Sequence, residues 1–146
     1  MIDRWWLRCG DMGHTDADGW FFFDHRKGGG IRHNGDFINA GFVEKVMAEH
    51  PSVIDVFAYG VPAASGAPGE KDAVVAIVPV DTTSFDPDPV FAVCRPGLES
   101  NFVPTYLRVV EEIPKTASEK PQERFLLDRF NPSSSSVYTE TRVTRA

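Results

Sequence analysis

Apolar and polar positions change their period several times along the chain, and each change predicts an element. Residues 4–23 alternate aromatic and polar positions around Asp16-Ala17-Asp18-Gly19. Asp-Gly between two apolar runs signals a β-hairpin, here with strands near residues 5–8 and 20–24. Over residues 41–50, Phe42, Val43, Val46 and Met47 recur at helical spacing before Pro51, which predicts an amphipathic helix with those four side chains on its core stripe. Segments 53–59 and 73–80 are rich in β-branched and apolar residues, and the Gly/Pro-rich stretch between them predicts two neighbouring strands. After a Pro/Asp-rich loop at 81–89, Val90, Phe91, Val93, Cys94 and Leu98 predict a second helix disturbed by Pro96-Gly97. Residues 105–110 predict another short strand. The terminal stretch 131–146, NPSSSSVYTETRVTRA, has no apolar periodicity and predicts a flexible polar tail.

These elements predict an α+β fold, a small central sheet flanked by helices and preceded by a β-hairpin. The organisation expected is a hairpin and hinge region at 1–27, a compact domain at 28–130 and the tail at 131–146. Three consecutive glycines follow Lys27, and they do not match the GxxxxGK[ST] phosphate loop, so Gly28 is the expected hinge.

Composition narrows the function. Across 146 residues the formal net charge is −6, which argues against a phosphate-backbone surface and a nucleic-acid partner. Cys9 and Cys94 lack CxxC spacing, so neither a disulfide framework nor a zinc site is expected, and His14, His25, His33 and His50 are not paired with carboxylates at ligand spacing. No apolar run approaches the roughly 18 residues of a transmembrane segment, and the first residues lack a secretory pattern; a cytoplasmic location is expected.

Three charged residues stand where loops hold functional groups. Lys120 closes the polar turn PKTASEK at 114–120, and a long stem with a point charge suits it to phosphate oxygens, although an arbitrary lysine is simply solvated. Asp11, after Cys9-Gly10, either satisfies a turn or accepts hydrogen bonds from a sugar diol. Arg26 either is solvated or binds phosphate or ribose through its planar fork.

The chain also carries CGD at 9–11, DADGW at 16–20, RKGGGIRHNGDFI at 26–38, VE at 43–44, HPSV at 50–53, GVP at 60–62, GE at 69–70 and PKTASEK at 114–120. In this order, over most of residues 5–127, these segments resemble the C-terminal domain of the AMP-forming acyl-CoA synthetases, the acyl-adenylate-forming superfamily shared with luciferases and peptide-synthetase adenylation domains. The resemblance implies a mobile lid that works with the N-terminal domain of the same enzyme on a carboxylic acid, ATP, Mg2+ and CoA. It implies that Asp11 holds the ATP ribose hydroxyls, that Arg26 contacts the nucleotide and that Lys120 is the adenylation lysine. It further implies that rotation about Gly28 brings the face around Gly35 to the active site for thioester formation. The chain alone is then not a competent ligase.

Four positions depart from the family pattern: Gly28 stands for Asp or Lys, His25 for the Asp of a DR pair, Glu119 for Gly and Pro121 for Ile. Glu119 beside Lys120 could draw the ammonium into a local ion pair and restrict the turn. Two alternatives stay open, a non-catalytic binding or regulatory module of the same fold, and transfer to a carrier-protein phosphopantetheine instead of CoA.

Overall fold

The computed structural model describes residues 9–26 and 30–140, apart from the side chains of His25 and Arg26. The chain divides between Gly30 and Ile31 into two compact units.

The first unit is an antiparallel hairpin of β1 (Asp11–Thr15) and β2 (Phe21–Arg26), with a bulge between Met12 and Gly13. Its turn is built by Asp16, whose Oδ1 accepts from the backbone N–H of Asp18 at 3.0 Å and of Trp20 at 2.9 Å. Because that turn closes on Thr15 opposite Phe21, the partner of β2 is 11–15; the strand expected near 5–8 lies outside the described residues. Trp20, Phe21 and Phe23 are 72%, 64% and 61% exposed. A two-stranded hairpin with such a face is marginal unless something covers it.

The second unit opens with a hairpin that the hydrophobic pattern did not predict, β3 (Ile31–His33) and β4 (Asp36–Ile38). Its turn is Asn34-Gly35, with φ of 51° and 85°. Positive φ at both central residues matches the right-handed strand twist, and Asn-Gly is the pair that tolerates it. The signal was present in the sequence, but three-residue strands are too short to show alternation.

Helix α1 (Ala40–Ala48) starts at Asn39, whose side chain accepts from Phe42 N–H, and buries Val43, Val46 and Met47. Phe42 does not join that stripe; it is 45% exposed, because it lies on the flank of the buried arc. Helix α2 (Pro87–Gly97) begins earlier than the pattern implied, with Asp86 as N-cap and a proline at the first helical position. Pro96 is accommodated in its last turn, where Leu98 N–H still reaches Cys94 O at 2.8 Å. Burial pushes the Cys94 thiol up to about 11, so it packs as a small apolar group.

A four-stranded sheet runs in the order β5 (Val53–Pro62), β6 (Lys71–Pro79), β7 (Tyr106–Val109) and β8 (Val137–Thr139). β5 is antiparallel to β6, β7 is parallel to β6, and β8 is antiparallel to β7. The parallel step requires a crossover, which α2 supplies. Val75, Ile77 and Leu107 face α1 and α2 with Val43, Met47 and Phe91, whereas Val74 and Ala76 face Tyr59, Val61 and Leu126 on the opposite side. Leu126 belongs to the short helix α3 (Glu123–Asp128), which was not predicted either.

Arg108 on β7 holds that helix end. Its guanidinium donates to Leu126 O at 2.7 Å, Arg129 O at 3.0 Å and the Tyr59 hydroxyl at 3.3 Å. A cation at the carbonyl end complements both the helix dipole and the unpaired carbonyls.

Within 131–140 the expectation of a flexible tail is overturned. Tyr138 lies opposite Leu107 in β8, and Arg95 bonds Glu140 at 2.9 Å. Val137, Tyr138 and Thr139 join the sheet because the open edge of β7 offers their backbone partners. Among the described residues no helix is long and apolar enough to cross a membrane.

Residues 114–122 form a tight loop before α3. Lys115 pairs with Pro121, Gln122 N–H reaches Pro114 O at 2.8 Å, and Thr116 N–H reaches Lys120 O at 2.9 Å. The turn needs a left-handed residue, and Glu119 occupies it at φ 63°. A side chain there costs about 1 kcal/mol relative to glycine.

Glu119→Gly should therefore raise the unfolding free energy by up to ~1 kcal/mol in urea denaturation, the greater freedom of glycine in the unfolded chain offsetting part of the gain. Arg108→Met should lower it by about 2 kcal/mol, since two carbonyls lose a charged donor, and Tyr59→Phe by no more than about 1 kcal/mol.

Candidate active site

Lys120 sits at the exposed end of the 114–122 loop. Its backbone is fixed from within, because its N–H donates to Thr116 Oγ1 at 3.2 Å. Among the described residues its ammonium has no ion pair. The pair anticipated with Glu119 does not form: the Glu119 carboxylate lies 3.9 Å from Lys115 instead. Lys115 donates to Asp55 Oδ2 on β5 at 2.6 Å. That hydrogen bond, with the Asp55 charge, raises the Lys115 pKa above the ordinary lysine value. The loop thus carries two lysines with different settings, one tied down and one available to an anion.

Gly35 sits at the tip of the β3–β4 hairpin. With φ at 85° and no heavy atom within 4 Å of where a Cβ would stand, the tip is open to approach. Its flanks are fastened on both sides. His33 Nδ1 donates to Lys71 O at 2.9 Å and lies 3.5 Å from Asp72 Oδ1, and Asp72 Oδ2 accepts from Ala64 N–H at 2.9 Å. Asp36 Oδ2 accepts from the Asn101 amide at 2.9 Å. A polar cavity of about 280 Å³ adjoins the turn, lined in part by Asn34, Asn101, Thr105 and Glu140.

These two features lie at opposite ends of the sheet. Gly35 is tied through His33 to Lys71, the first residue of β6, and Lys120 is tied through Lys115 to Asp55, which pairs with Val78 near its last. At about 3.3 Å per residue, Lys71 and Val78 are roughly 23 Å apart. The structure does not bring Gly35 and Lys120 together.

In the other unit Asp11 and Arg26 are cross-strand partners, so the first and last positions of the hairpin are neighbours. The Arg26 side chain and the expected hinge at Gly28 lie outside the described residues. Magnesium finds no ligand set here, since among the described residues no three His, Cys, Asp or Glu side chains form a cluster that would hold a metal.

Sequence reasoning missed the residues that support these tips. Lys115 and Asp55 are sixty positions apart with no local signal, and His33 reads as one polar residue in a short strand. Glu44 was visible only as part of a motif. Its carboxylate accepts from Ala58 N–H on β5 at 2.8 Å, closing part of that edge, and burial raises its pKa.

A family model described as the AMP-binding enzyme C-terminal domain matches residues 43–120. The steroid-22-oyl-CoA synthetase of Rhodococcus jostii (strain RHA1) is 34% identical over 88% of this chain and 23% of its own length. The 2-succinylbenzoate–CoA ligase of Listeria monocytogenes is 32% identical over 86% of this chain and 26% of its own. Among solved structures, amide bond synthetase McbA from Marinactinospora thermotolerans superposes with a TM-score of 0.64 at 29% identity, covering 88% of this chain and 26% of that one. The o-succinylbenzoate CoA synthetase of Bacillus subtilis shares the fold, with a TM-score of 0.70 at 24% identity over 86% of this chain and 25% of that one. The chain thus spans about a quarter of the length of these proteins. With the family match running from within α1 through β5, β6 and β7 to Lys120, over residues 43–120, the chain belongs to the AMP-binding enzyme C-terminal domain family.

Proposed function

We propose that this chain is the mobile lid of an ATP-dependent acid–thiol ligase, which activates a carboxylic acid as acyl-AMP and transfers the acyl group to CoA. The observation that carries this reading is the separation of Lys120 and Gly35 at opposite ends of one rigid sheet. Two reaction steps that each need one tip call for two orientations of the domain, with the change absorbed by a few backbone dihedrals at Gly28.

In the first step the substrate carboxylate oxygen attacks the α-phosphorus of ATP and pyrophosphate leaves. Negative charge gathers on the phosphoryl oxygens, and the exposed ammonium of Lys120 stabilises that arrangement more than the ground state. Asp11 accepts hydrogen bonds from the ribose diol, and Arg26 contacts the nucleotide. In the second step the thiol sulfur, having lost its proton, attacks the acyl carbonyl and AMP leaves. The open backbone at Gly35 lets an extended thiol substrate pass close to the turn. Magnesium, when bound with ATP, would screen the charge of the pyrophosphate, and none of the described residues is assigned to hold it.

The exposed aromatic face of β2 supports a preceding domain as its cover, the N-terminal domain of the same enzyme. CoA is favoured over a carrier-protein phosphopantetheine as the acceptor, because the relatives named above include CoA synthetases and ligases.

In the complete ligase carrying this chain, Lys120→Ala should lower ATP–pyrophosphate exchange at least 100-fold while thioester formation from supplied acyl-AMP stays within about twofold. An unchanged exchange rate would remove Lys120 from adenylation and favour the non-catalytic module.

A further inference from the structure

The 114–122 loop has a shape that its own hydrogen bonds maintain. Thr116, Glu119 and Lys120 are linked through backbone groups and the Thr116 hydroxyl, and Gln122 N–H closes the stem on Pro114 O. Those bonds fix its form but not its direction relative to the sheet. Buried Ile113 anchors one stem. Buried Leu126 of α3 anchors the other, and a third tie comes from Lys115, which reaches across sixty positions of sequence to Asp55 on β5 at 2.6 Å. Lys115 and Asp55 side chains are 29% and 35% exposed, so the pair is partly shielded from water. Lys115 is also the cross-loop partner of Pro121, the residue directly after Lys120.

We propose that Lys115 and Asp55 are positioning residues for adenylation, a tether that aims the Lys120 ammonium. This rests on reading Lys120 as the adenylation lysine. An ion pair about one third exposed adds little to global stability, so a purely structural purpose accounts poorly for it. Aim is a different quantity: displacing a reacting group by about 1 Å costs on the order of 100-fold in rate. Glu119 sharpens the argument. At 3.9 Å from Lys115 it is a second carboxylate competing for the same ammonium, and capture by Glu119 would release the loop from β5.

The test is a double-mutant cycle in the complete ligase, with Lys115→Met, Asp55→Asn and the two combined. Each single variant should lower kcat of ATP–pyrophosphate exchange about 10-fold with KM for ATP within twofold, and the double variant should lose no more than either single one. Thioester formation from supplied acyl-AMP should stay within twofold, and the melting temperature within about 2 °C. A mere field effect predicts something else, because removing Asp55 makes the surroundings of Lys120 more positive and removing Lys115 makes them less so. Opposite responses of the two single variants would therefore overturn the tether, as would unchanged exchange in both, multiplicative losses in the double variant, or equal losses in both half-reactions. Lys120→Ala in the same assays separates the two levels. If it abolishes exchange while Lys115→Met and Asp55→Asn do not lower it, the tether alone falls; if it leaves exchange intact, the reading of Lys120 falls and the tether with it.

Discussion

Burial of β6 on both faces is the constraint on which the second unit depends. Val74, Val75, Ala76 and Ile77 are each 0% exposed, so neither side of that strand can face water. Helices α1 and α2 with the β3–β4 hairpin cover one side, and α3 with Tyr59 and Phe130 covers the other. A strand so enclosed does not bend or slip without exposing apolar surface or breaking its ladder. It therefore acts as a rigid spacer, and whatever is fastened to its two ends keeps its separation.

Both tips use that spacer in the same way. Each is a tight turn with a left-handed residue, Gly35 in one and Glu119 in the other, and each is tied to the sheet by a neighbouring side chain. His33 performs this for the first and Lys115 for the second. Turns shaped internally and aimed by one remote contact combine local rigidity with a defined direction, which positioning chemistry requires. The two differ in backbone cost: glycine adopts its conformation without penalty, and glutamate does not.

Much of this was legible in the residues, and the failures have physical reasons. Long β-branched runs announced β5 and β6 because burial on two faces demands continuous apolar residues. Helix α1 was legible from its buried spacing, with Phe42 misplaced because hydrophobicity reports preference for burial and not its occurrence. β8 was invisible, since its order comes from the edge of β7 and not from its own serine-rich surroundings. Helix α3 spans only 123–128 and depends on Leu126 and the Arg108 clamp, neither of which a local pattern contains.

By itself the sequence determined the longer elements, the α+β class and the family, because periodicity and short motifs are local properties that survive reading along one dimension. It also marked the candidates for chemistry, as types: a lysine in a polar turn, an aspartate at a strand start, a glycine in an Asn-Gly pair. Only the tertiary structure decided that Lys115 is held by Asp55 while Lys120 has no ion pair among the described residues, and that Gly35 and Lys120 are fastened near opposite ends of β6. Those facts join residues far apart in the chain, and it is the packing of the core on both faces of one strand that sets their distances.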